Sequence, residues 1–176
     1  MPAYYIYLIS SLPMLHFGMK LPFSFKEFIA RCQQLIPEED LRIIEFASIA
    51  GSYPEAPANA TLKKWQEFDI ALRNELVKIR APRKKIDPLK YLRPDNIGHL
   101  QAAQIAIHAH RIPSLIESEK ALDQGRWDFL DGLSLGHYFD IDFLITYAHK
   151  LLILERWEKI IQGAGRHLLE ETLGAI

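Results

Sequence analysis

One cysteine, Cys32, stands in the 176 residues. A single thiol forms no internal disulfide and no cysteine-based zinc cluster, and it points towards a reducing compartment. Its place inside a helical pattern makes it a small core residue. A basic surplus is also missing: Lys plus Arg number 21, Asp plus Glu 22, for a formal net charge of −1. That balance argues against phosphate-driven binding of nucleic acid. The most basic stretch, Arg80 to Lys85 (RAPRKK), has no interleaved aromatic and reads as a solvated turn between helices. No apolar run approaches the ~20 residues that a bilayer crossing needs. The opening MPAYYIYLISSLPML lacks the basic start of a signal peptide. The expected location is therefore cytoplasmic, either soluble or peripheral to the inner membrane through partner subunits, with no direct membrane insertion.

Recognisable catalytic loops are scarce as well. There is no G-x-x-x-x-G-K-[ST] or G-x-G-x-x-G, so nucleotide phosphates have no glycine-rich cradle, and there is no H-E-x-x-H. Cys32 has no histidine beside it in sequence. His108 and His110, two apart on a helix, point ~200° apart around the axis and do not converge on one ion. Asp128 with Asp131, and Glu170 with Glu171, read as solvated helix faces.

What the chain has is helical periodicity. Apolar residues make up 49% and charged residues 24%, an ordinary globular balance. Ser24 and Glu27 form a capping box before the stripe Phe25, Phe28, Ile29, Cys32 and Ile36. Pro37 and the acidic Glu38, Glu39 and Asp40 open a helix that continues through Leu41, Ile44, Ala47 and Ile49 to a stop at Gly51. After a Pro-containing loop over Ser52 to Asn59, Leu62, Trp65, Phe68, Leu72, Leu76 and Ile79 line one face of a helix from about Ala60 to Arg80. Asp95 is placed to cap a helix over Ile97 to Arg111, whose Ala102, Ala103, Ala106 and Ala109 permit close helix approach. Ser114 and Glu117 repeat the capping spacing ahead of a segment through Leu122, Trp127 and Leu130 to Gly136, with Gly125 weakening its middle by ~1 kcal/mol. The longest helix runs from about Ile141 to Gln162, closed by Gly163 and Gly165. Tyr4 to Ile9 is a short strand or a buried helix, which periodicity does not decide. The expectation is an all-α, single-domain bundle of roughly eight helices over residues 1–176, with a soft division near 81–95.

The densest polar cluster is His137-Tyr138-Phe139-Asp140-Ile141-Asp142. His137, Asp140 and Asp142 are ligands of a hydrolytic metal on one reading. On the other, Asp140 caps the last long helix, Asp142 sits in its first turn and His137 packs nearby. Trp127, Tyr138 and Trp157 are amphipathic side chains of the kind that either anchor interfaces or fill cores.

The stretch Ile116 to Trp157, IESEKALDQGRWDFLDGLSLGHYFDIDFLITYAHKLLILERW, resembles an uncharacterised bacterial family of unknown function. Its members are typically encoded among the subunits of V-type (archaeal-type) ATPases. The opening YYIYLISSLPMLHFG and Pro22-Phe23-Ser24-Phe25 resemble the same family. Leu122-Asp123, Trp127-Asp128-Phe129 and Ile141-Asp142 are similar to the C subunit of V/A-type ATPases, the helical cap joining stalk to rotor. Ile145 and Thr146 stand where that subunit has Asn-Leu, and His149 and Lys150 stand near its expected arginine. The chain is about half the usual length of a C subunit.

The resemblance implies a shortened, non-enzymatic, C-like adaptor in ion transport, without a cofactor. It implies binding to central-stalk or membrane-rotor subunits through Arg126, Trp127, His137, Tyr138, Asp140 and Asp142. The alternatives are a small metal-dependent hydrolase using His137, Asp140 and Asp142, and a generic helical protein-interaction module.

Overall fold

The computed structural model describes residues 5–48, 58–93 and 98–173. These hold seven α-helices and, among the described residues, no strand. The helices are α1 (Ile6–Ser11), α2 (Phe25–Gln33), α3 (Glu38–Glu45), α4 (Ala60–Arg80), α5 (Leu100–Arg111), α6 (Leu115–Ser134) and α7 (Ile141–Leu173). The chain divides into two compact units, one of residues 1–50 with 136–176, the other of residues 51–135.

In the first unit α1, α2, α3 and α7 close around one core. The Ser24–Glu27 capping box is complete in both directions, and it sets Phe28 and Cys32 inward, both fully buried. Phe28 packs its ring 5.3 Å from that of Tyr147 on α7. Leu41 and Ile44 of α3 join Leu144, Ala148 and Leu151 of α7 in the same cluster. The apolar run at the start is helical from Ile6. A lone strand there would leave its ladder groups unpaired. Instead the Tyr5 N–H donates to the Phe139 carbonyl at 2.6 Å, and the Leu12 N–H closes on Ile9. Further along, the Tyr147 hydroxyl donates to the Pro13 carbonyl at 3.0 Å.

Two helix ends differ from expectation. α3 stops at Glu45 and continues as a 3-10 turn over Phe46–Ser48; Ile49 and Gly51 lie outside the described residues. α7 does not stop at Gly163 or Gly165 but runs 33 residues to Leu173, about 50 Å. A glycine ends a helix by turning left-handed. Gly136 does so after α6, with φ +85°, whereas Gly163 does not. In line, each glycine costs ~1 kcal/mol relative to alanine, which a helix already nucleated over five turns sustains.

In the second unit α4, α5 and α6 pack together. The α4 stripe is inward as expected for Leu62, Trp65, Phe68 and Leu72, while Leu76 and Ile79 are half-buried. Phe68 stacks on Phe129 of α6 with centroids 3.9 Å apart and planes 7° from parallel, and His99 meets both rings edge-on. His99 also starts α5, its Nδ1 accepting the Ala102 N–H at 3.4 Å; the Asp95 and Ile97 of the expected start lie outside the described residues. Residues 81–93 stay folded within this unit. The Asn74 amide clamps the backbone of Arg93, accepting its N–H at 2.8 Å and donating to its carbonyl at 3.3 Å.

Ala102, Ala106 and Ala109 are fully buried, so the small face of α5 allows the expected close approach. Gly125 completes it from α6: a Cβ there would lie 2.7 Å from a side-chain carbon of Ile105. Gly132, on the same helix, has nothing within 4 Å of that position. Gly132→Ala is therefore expected to stabilise the protein by about 0.5–1 kcal/mol. Gly125→Ala should destabilise it by ~1 kcal/mol or more, because a stiff β-branched neighbour must move. Urea midpoints of the two variants check the opposite signs.

Burial pushes the Cys32 thiol up from 9.0 to about 12. The folded state then holds a proton that the unfolded chain releases near the ordinary value. Stability from this group is present below pH ~9 and is lost as pH rises towards 12. At pH 8 a disulfide reagent should modify Cys32 no faster than the protein opens, and fast labelling of the native protein would contradict that burial.

Candidate functional site: the start of the last helix

Gly136 turns the chain out of α6, and His137 to Asp140 lead it into α7. Asp140 caps that helix, its Oδ1 accepting the Phe143 N–H at 3.1 Å. Its Oδ2 lies 2.7 Å from His137 Nδ1. Asp142, in the first turn, places Oδ2 3.6 Å from the same nitrogen. All three side chains are half-buried, and their nearest donor atoms lie within 4.8 Å of one another.

That spacing is within reach of a divalent ion, whose donors sit ~2.1 Å from the metal. The bonding already present competes with it. Asp140 uses one oxygen to cap the helix and the other to meet His137, and Asp142 lies beside the same imidazole. The positive end of the α7 dipole favours carboxylates here without any ion and opposes a second positive charge. The arrangement holds the start of α7, orients an imidazole and leaves Tyr138 outside, 68% exposed.

The other two residues singled out in the sequence fall in the second unit. Trp127 is buried, with 4% of its surface exposed, so it serves as core and offers no outer face to a partner. Arg126 is engaged within its own unit: its Nη1 lies 2.8 Å from Asp123 Oδ1 and its Nε 3.5 Å from Asp69 Oδ1. Arg73 holds the other oxygen of Asp69 at 2.7 Å. Asp69 and Asp123 are almost fully buried; the sequence singles out Asp123 only through the Leu122-Asp123 likeness and does not single out Asp69, and the ion pairs of both were missed. Their signal was present in the i,i+4 spacing of Asp69 to Arg73 and the i,i+3 spacing of Asp123 to Arg126, with Asp69 set beside the apolar stripe of α4.

Gly132-Leu133-Ser134-Leu135-Gly136 has the letters of a G-x-S-x-G elbow, against the expectation from the sequence that the chain lacks one. That elbow needs a strained strand-to-helix turn. Ser134 is instead the last residue of α6, and its hydroxyl donates to the Asp131 carbonyl at 2.8 Å. The local structure is a helix end and gives no activated nucleophile.

Asp140→Ala should cost about 1–2 kcal/mol by removing the cap. Asp140→Asn, which keeps a capping oxygen, should cost well under half as much. Thermal melts with and without excess zinc complete the measurement: the wild-type midpoint is expected to be the same in both.

No helix among the described residues is long and apolar enough to cross a membrane. Residues 94–176, which take in α5, α6 and α7, match the model of a family described as a protein of unknown function, DUF2764. No curated protein and no solved structure matches the chain.

Proposed function

We propose that this chain is a non-enzymatic accessory or C-like subunit of a V-type ATPase, a helical adaptor in rotor or stalk assembly. It binds central-stalk or membrane-rotor subunits, and its place at the membrane comes through them. Support comes from the sequence resemblance over Ile116 to Trp157 and from how that stretch is used. It spans α6 and the first half of α7. Leu122, Asp123 and Trp127 turn inward and build a firm body, while Tyr138 stands out at the start of α7. A torque-bearing adaptor needs both a rigid body and an exposed aromatic face.

The observation that carries the reading is the α7 start, where a capped and hydrogen-bonded turn fixes the backbone beneath an exposed aromatic residue. Purification of the tagged full-length chain from its native host, at native expression, tests it. Stalk or rotor subunits of the ATPase are expected to co-purify in fixed ratio. Recovery of intact chain with none of them would overturn the proposal.

The clustering of His137, Asp140 and Asp142 donor atoms favours a second reading, a small metal-dependent hydrolase. Metal analysis of the same preparation decides it: a stoichiometric ion would support the hydrolase, and its absence from a stable protein would end it.

A further inference from the structure

We infer that the loop from Arg83 to Tyr91, which follows α4 in the second unit, makes a direct peripheral contact with an anionic lipid surface; the inference does not rest on the adaptor reading above. The stretch from Arg80 to Arg93, RAPRKKIDPLKYLR, holds six of the chain's 21 Lys and Arg but only one of its 22 Asp and Glu. The near-neutral total therefore conceals a basic stretch in a chain whose remainder is net acidic. Arg80 is spent on Glu119, 3.4 Å away, and Arg93 is half-buried. Arg83, Lys85 and Lys90 are exposed, and none of them joins an ion pair among the described residues. The one acid, Asp87, is committed to the Leu89 N–H at 3.0 Å. Apolar side chains stand between these charges: Ile86 is 39% exposed, Leu89 75% and Tyr91 57%. The three cations and the three apolar side chains fall on one short continuous run of chain, so no contact between distant segments is needed to bring them together.

The backbone of the loop is fixed. Pro82–Lys84 and Pro88–Lys90 are 3-10 turns, the Lys85 N–H donates to the Pro82 carbonyl, and the Ile86 N–H donates to the Ala81 carbonyl. Between the turns Lys85 is left-handed, with φ 53°, a conformation that glycine or asparagine usually supplies. A basic side chain is thus held where the backbone favours none. The character of the loop selects the occupant. An acidic peptide needs a concave seat, and Leu89 and Tyr91 stand too far out of the surface to line one. A nucleic acid needs a track of phosphate contacts with rings to stack on, and one tyrosine among three free cations is a short track. A bilayer surface demands no fixed register. Aliphatic and aromatic side chains enter its headgroup region while Lys and Arg reach the anionic lipids around them.

Sedimentation of the purified full-length chain with vesicles tests this, using phosphatidylcholine alone and phosphatidylcholine mixed with phosphatidylglycerol. Binding is expected to the mixed vesicles and not to the neutral ones, and it should weaken as salt is raised. A basic side chain beside an anionic surface is worth roughly a factor of five, so Arg83→Gln/Lys85→Gly/Lys90→Gln should lower the partition coefficient about tenfold or more. Leu89→Ser/Tyr91→Ser should lower it with the charges intact. Lys85→Gly alone keeps the fold in the comparison: glycine suits the left-handed backbone, so its thermal midpoint should not fall while its vesicle binding does. Failure to bind the mixed vesicles overturns the proposal, as does undiminished binding by the folded triple variant. Tighter binding to a polyglutamate peptide or to duplex DNA than to the mixed vesicles also overturns it, in favour of that other partner. Because the chain is tested without ATPase subunits, each of these failures leaves the adaptor reading standing, and failed co-purification of those subunits leaves the lipid contact standing.

Discussion

The first unit depends on α7 being long, and on Leu144, Tyr147, Ala148 and Leu151 along one of its faces. Its other helices have six, nine and eight residues, and helices below ~12–15 residues are marginal on their own in water. They hold their form because a continuous apolar face gives each of them something to bury against. That face lies about a hundred residues further along the chain. The unit therefore closes through non-local contacts, with Tyr5 bonded to Phe139 at one place and Tyr147 to Pro13 at another. The start of α7 fixes where this closure happens, which gives the Asp140 cap a consequence beyond one helix end: it sets the register of the face on which three helices rest.

The second unit is organised by charge as well as by apolar packing. Asp69 and Asp123 sit with almost no exposure, joined through Arg126, and Arg73 holds Asp69 from its outer side. A buried ion pair is weak evidence for stability, because desolvation offsets much of the attraction. Its geometric demand is strict, however. Asp69 is on α4 and Arg126 on α6, so the pair is satisfied in one rotational setting of these helices. The stacked Phe68 and Phe129 rings impose the same setting through packing, since Phe68 precedes Asp69 and Phe129 lies one turn from Arg126. Two unlike interactions thus agree on one arrangement, the consistency that gives a sequence a single fold.

Helix identity was legible because periodicity and caps are local. Ser24, Asn59, Ser114 and Asp140 each accept the backbone N–H expected of a cap. The errors arose where a local signal is degenerate. Gly163 and Gly136 look alike in sequence, but one stays in line and the other turns left-handed, because the chain beyond each glycine decides its conformation. Gly125 reads as a weak point in α6, and only the nearness of Ile105 on α5 turns the missing Cβ into a packing requirement. The same limit affected the site. His137, Asp140 and Asp142 are close in sequence and converge as either reading required, whereas the Asp69–Arg126 contact spans two helices and carries no linear motif. Trp127 has the composition of an interface anchor and the position of a core residue; burial is a tertiary property that residue type does not fix.

The start of α7 combines an internal polar network with exposed aromatic side chains, and the two are separable by direction. Its polar atoms are turned in on themselves, Asp140 towards Phe143 N–H and His137, which fixes the backbone from Gly136 onward. The intervening residues, Tyr138 and Phe139, have no place in that network, so their rings project where the fixed backbone aims them. Had the polar cluster been loose, ordering these aromatics on binding would cost conformational entropy, about 0.5–1.5 kcal/mol for each side chain immobilised and more for the backbone beneath it. With the turn already held, and with Tyr5 N–H bonded to the carbonyl of Phe139 itself, that backbone cost is met by folding.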